Sequence, residues 1–131
     1  MNYERMINVS RALTFRKSIP AGESGYIDAP ITAHGNITDI KIRFAAGENG
    51  TLHVRPVQII PQEIMIDLLD YAGEKYVSGD DETFHAQVKW ETENHAIARV
   101  YYENVGVGTS FLNVDITVEY YELVEPANII G

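Results

Sequence analysis

Apolar and polar residues alternate along most of this chain. From Leu112 to Tyr120, the residues Leu112, Val114, Ile116, Val118 and Tyr120 fall on one face, and Asn113, Asp115, Thr117 and Glu119 on the other. A period of two in β-branched and aromatic residues predicts a half-buried strand. Phe84, Ala86, Val88 and Trp90 repeat the pattern against His85, Gln87 and Lys89, which makes Trp90 a core residue. Shorter runs follow the same rule: Leu13 and Phe15, Ile40 to Phe44, Leu52 and Val54, and Ala98 to Tyr102.

Turn chemistry separates these runs. Glycine and asparagine, which tolerate positive φ, cluster at Ala21–Gly25, Ala33–Asn36, Gly47–Gly50, Gly79–Asp81, Glu93–His95 and Asn104–Gly108. Asn49-Gly50 is the strongest hairpin signal, and predicts that the strand ending at Phe44 pairs with the one starting at Thr51. Pro56 and Pro61 predict an edge position for the intervening run, because proline cannot donate to a ladder. Residues 61–70 fit a short helix opened by Pro61 and also fit a strand with Ile64, Ile66 and Leu68 on one face; strand or irregular crossover is preferred. The segment Glu125–Gly131 is expected to fray or to pack on a neighbour. The predicted fold is all-β: one domain over residues 1–131, an antiparallel β-sandwich or jelly roll of seven or eight strands.

Composition narrows the function classes. With no cysteine, disulfide scaffolds, thiolate metal sites and cysteine nucleophiles are excluded. No apolar run is long enough to span a bilayer, and Met1–Ser10 lacks the apolar stretch of a signal peptide, so no membrane association is expected. A net charge of −9 argues against a nucleic-acid partner. That charge is unevenly placed. Residues 1–19 hold Arg5, Arg11, Arg16 and Lys17 against Glu4 alone, so they form a basic strand or arm ahead of an acidic body. Such an arm could carry solvated arginines or dock on an acidic surface of a sister subunit.

Catalytic signatures are missing from the sequence, so no enzyme activity is expected. The four histidines have no metal-ligand spacing, and Asp115 and Glu119 lie roughly 13 Å apart along a strand, too far for a glycosidase pair. Asp80, Asp81 and Glu82 form an acidic turn that could offer oxygens to Ca²⁺ or simply keep an edge solvated. No other cofactor is expected. Tyrosine is abundant, at 8 of 131 residues. In the adjacent pairs Tyr101-Tyr102 and Tyr120-Tyr121, strand geometry sends Tyr101 and Tyr121 outward, as loop cover, subunit contacts or a ligand platform.

Three stretches, ITDIKIRFAAGENGTLHVRPVQI from Ile37, YVSGDDETF from Tyr76 and VYYENVGVGTSFLNVDITVEYYEL from Val100, resemble small acidic β-sandwich proteins of tailed-phage virions, of head-decoration or tail-accessory type. The resemblance implies a homo-oligomer (a trimer as a first guess) bound to other virion proteins, located in the virion or in the host cytoplasm during assembly. It carries over no individual residue. Two function classes follow: a non-enzymatic assembly protein, or a lectin-like module whose outward tyrosines and Asp80-Asp81 turn form a shallow, calcium-assisted glycan site.

Overall fold

The computed structural model describes residues 5–69 and 75–124. Their alternating segments become eight strands: β1 (Arg5–Ile19), β2 (Ser24–Pro30), β3 (Gly35–Phe44), β4 (Leu52–Ile60), β5 (Ile64–Asp67), β6 (Glu82–Thr92), β7 (Ile97–Asn104) and β8 (Ser110–Val124). A first sheet has the order β1-β8-β3-β6 and a second the order β2-β7-β4-β5, with every pairing antiparallel. Successive strands alternate between the two sheets up to β4, and β8 returns between β1 and β3, which is jelly-roll wiring.

The inward faces match the alternation. Phe15, Ile40, Ile42, Phe44, Leu112, Val114 and Ile116 from the first sheet pack against Leu52, Val54, Ala98 and Val100 from the second, all essentially inaccessible. Two polar stitches cross between the layers. Trp90 Nε1 donates to Leu68 O at 2.8 Å, and Gln58 Nε2 donates to Glu91 O at 2.9 Å. Trp90 therefore packs half-buried against the core while its polar end is satisfied.

Several expectations need correction. Asn49-Gly50 does not close a hairpin. Asn49 and Gly50 do adopt positive φ (52° and 73°), yet β3 lies in the first sheet and β4 in the second. The loop is a corner between layers, fastened by Asp80 Oδ1, which accepts from Gly47 N and Asn49 N, and by Gly50 N donating to Gly79 O. Pro56 does not mark an edge, since β4 is flanked by β7 and β5. Its missing N–H falls where the outer partner of β4 changes from Val77, bonded both ways to Val54, to Leu68, which only donates to Pro56 O. No donor is needed there.

Residues 5–19 are not a detached arm: β1 pairs with β8 along its whole length, from Arg5↔Val124 to Ile19↔Ser110. In the ambiguous run, Ile64–Asp67 is a strand pairing with β4, preceded by Gln62 and Glu63 at positive φ; Asp70 lies outside the described residues. The tail Glu125–Gly131 also lies outside them. The strand β2 has no counterpart among the predicted runs.

Candidate functional site

The outer face of the second sheet gathers aromatic and charged side chains by register. Tyr26 on β2 faces Tyr101 on β7, which faces Arg55 on β4. One rung further, Asp28 faces Arg99, and on the other side Ser24, Glu103 and His53 form a row. Strand parity sends all of these outward, so residues distant in sequence meet on one plane.

The cations are locked. Arg99 holds Asp28 through a two-pronged pair at 2.7 and 2.9 Å and donates from Nη1 to Tyr101 Oη at 3.2 Å. Its guanidinium lies 3.9 Å from the centre of the Tyr26 ring. Arg55 grips Asp67 in the same way at 2.6 and 2.9 Å, and its guanidinium lies 5.8 Å from the Tyr101 ring centre. The hydrogen bonds from Arg55 hold the Asp67 carboxyl below its ordinary range, with Lys75 adding to the effect at 3.8 Å. The same carboxylates keep both guanidinium groups charged more firmly than usual.

Tyr26, Tyr76, Tyr101, His53 and Arg55 line an open groove of about 410 Å³, a size common among small-molecule sites. His53 stacks on Tyr76 at 4.8 Å with a 25° tilt, and Tyr26 meets Tyr101 edge-on at 5.7 Å. Tyr26 and Tyr76 remain 52% and 48% exposed. Each therefore keeps accessible surface while Arg99 or His53 fixes its ring. Tyr102 is buried on the inner face of the sheet, opposite Tyr101, and its hydroxyl lies over Gly25; a Cβ at residue 25 would lie 2.8 Å from that oxygen. Lys17 Nζ donates to the same hydroxyl at 3.1 Å, which raises the lysine's pKa.

The residues singled out from sequence scatter over the molecule. Tyr101 lies in the groove, but Tyr121 is 63% exposed on β8, in the other sheet. Arg16 donates to Val114 O and pairs with Asp115 at 2.9 Å, while the Arg11 guanidinium lies 6.0 Å from the Tyr120 ring centre. Arg5 opens β1, and its side chain lies outside the described part of the structure. Lys17 donates to the Tyr102 hydroxyl on the inner side of the second sheet, away from the groove face. Asp80, Asp81 and Glu82 do not converge. Asp80 caps the corner loop, Asp81 pairs with Arg43 at 2.7 Å, and Glu82 Oε1 accepts from Asp80 N. Among the described residues no cluster of three or more histidine or acidic side chains has the arrangement of a metal site.

A second cleft of about 440 Å³, lined by His34, Glu91, Thr92 and Glu93 with Ile60 and Ile66, lacks aromatic walls. The residues missed at the sequence level, Tyr26, Tyr76, His53, Arg55 and Arg99, become a site only through the register of three strands, β2, β7 and β4, and the Val54–Val77 bridge that brings in Tyr76. The one local signal was the alternation of Tyr26 and Asp28 with Ile27 and Ala29 beside a second tyrosine-rich strand.

No protein-family model matches the chain, and no curated protein matches it. Solved structures with a similar fold include the mitogen derived from Yersinia pseudotuberculosis, at 13% identity and TM-score 0.49 over 84% of this chain and 87% of that one. PirA is similar at 15% identity and TM-score 0.46, over 83% and 93% of the two chains. A serine protease of Aeromonas sobria is similar at 8% identity and TM-score 0.48, over 88% of this chain but 27% of the protease. These are likenesses of fold alone, and no activity passes from them to this chain.

Proposed function

We propose that this protein is a non-enzymatic binding module that recognises carbohydrate through the groove on the outer face of β2, β7 and β4. The supporting observation is the pair of half-open rings, Tyr26 and Tyr76. Each is fixed by a neighbour, Arg99 at 3.9 Å or His53 at 4.8 Å. A pyranose presents a flat C–H face that stacks on such a ring, and its hydroxyls need convergent polar groups at the margin. Rings already immobilised lose little entropy when a ligand stacks on them. Calcium has no part in this reading, because the Asp80–Glu82 turn serves the corner loop. Glycan-array binding that is saturable, and that is lost in Tyr26→Ala and Tyr76→Ala, tests the proposal; equal binding by wild type and both variants would sink it.

A second reading is a homo-oligomeric structural component of a phage virion, acting through protein contacts. It draws on the apolar loop tip, where Val105 and Val107 are exposed, with exposed Phe111 at the start of β8, and on exposed Ile64 and Met65 of edge strand β5. Light scattering separates the two readings: a concentration-independent oligomer that binds no glycan favours assembly.

A further inference from the structure

Resting on the carbohydrate reading, we infer that the groove selects an uncharged sugar and rejects uronic acids, sialic acids and phosphorylated ligands. The inference comes from how the face spends its charges. Arg99 gives its fork to Asp28, and Arg55 gives its fork to Asp67. Lys17 lies 3.7 Å from Glu23, and Lys75 shares Asp67. The carboxylate of Glu103 sits beside His53 at 3.6 Å, facing the groove without an arginine or lysine partner among the described residues. An arriving carboxylate or phosphate would have to break a two-pronged ion pair to gain a cation, and would meet Glu103 while doing so.

On this face a cation acts instead through a phenol: Tyr101 Oη accepts from Arg99. An oxygen that accepts from a cation leaves its own proton to donate elsewhere, and the Tyr101 phenol proton has no acceptor among the described residues. The groove therefore offers one neutral donor in Tyr101, one acidic acceptor in Glu103 and two ring faces. That is the complement of a hydroxyl-rich, uncharged ring.

The test uses the full chain with two matched probe panels: neutral hexose di- and trisaccharides, and the same backbones with one residue replaced by a uronic or sialic acid. Expected is binding of neutral probes that changes less than about twofold between roughly 0.05 and 0.5 M salt, as screening predicts for an uncharged ligand. Expected also is at least a tenfold loss in Tyr26→Ala and near-retention in Tyr26→Phe. Circular dichroism and melting of each variant separate lost binding from lost fold. Stronger binding of the acidic panel, weakening with salt, would overturn the neutral selectivity while leaving a carbohydrate site in place. Binding by neither panel would remove the carbohydrate reading, and this inference with it.

Discussion

Arg99 lies flat against Tyr26, its guanidinium 3.9 Å from the ring centre, while the same side chain closes a two-pronged pair with Asp28. One residue thus aligns an aromatic ring and neutralises a carboxylate on adjacent strands. Lysine cannot do both, because its point charge has neither the plane nor the fork. Arg99→Lys should lower sugar affinity at least fivefold yet cost about 1 kcal/mol or less in urea unfolding, since the pair is partly exposed. A loss of stability well above that would mean that Arg99 holds the fold rather than the groove.

The Asp67–Arg55 pair should appear in acid titration. The folded-state pKa of Asp67 lies below its ordinary value of 3.8. The stability it contributes is therefore complete above that ordinary value and fades as the pH falls through the lower, folded value. Asp67→Asn should cost about 1 kcal/mol or less at neutral pH and should flatten the stability curve below pH ~4. A variant with the wild-type acid slope would assign that slope to other carboxylates.

Glu48 should behave in the opposite sense. It is 95% buried in the corner loop, as its exposure is only 5%. Its Oε1 accepts from Phe111 N at 3.3 Å, but its Oε2 has no partner among the described residues. Burial raises its pKa above 4.5, and nearby Asp80 adds to the rise. A raised carboxyl favours the fold when protonated, so its contribution is lost as the pH climbs from 4.5 through the folded value. Glu48→Gln should raise the melting temperature by a few degrees at pH 7 and show little gain at pH 4. Differential scanning calorimetry at the two pH values checks this.

Gly35 opens β3 against β8, and a Cβ there would press into the backbone oxygen of Glu119 and approach Tyr120 Cβ to 2.8 Å. Backbone offers no flexible end to move aside. Gly35→Ala should cost about 2 kcal/mol or more by chemical denaturation. In the core, Ile116→Ala removes a fully buried side chain between the sheets and should cost about 2–5 kcal/mol.

Chelation tests the acidic turn. Because Asp80 and Asp81 already accept from Gly47 N, Asn49 N and Arg43, EDTA should leave the melting temperature unchanged, while Asp80→Ala should lower it. A drop on chelation would restore calcium to the account.

The strands were legible where burial imposes a period of two, as in Leu112–Tyr120 and Ile40–Phe44. The β2 edge strand was not, because Gly25, Asp28 and Pro30 read locally as turn and its half-exposed face carries a weak pattern. Asn49-Gly50 correctly announced positive φ, but backbone conformation at two residues does not state which sheet the chain enters next. Tyr101 could be placed outward from its own strand. Its partners Tyr26 and Arg55 could not, since they reach it through hydrogen-bond register between strands far apart in sequence, nor could Tyr76, which arrives beside the Val54–Val77 bridge to stack on His53.

The pairing of β1 with β8 joins residues such as Arg16 and Val114, which are 98 positions apart. Its consequence is temporal. On a ribosome, β1 emerges long before β8, its sheet neighbour among the described residues, with Leu13, Phe15 and Ile19 still uncovered. Closing so long a loop also puts this chain among slow, high-contact-order folders. The charges of Arg11, Arg16 and Lys17, interleaved with those apolar residues, then act as gatekeepers that keep a waiting strand from pairing with the wrong partner.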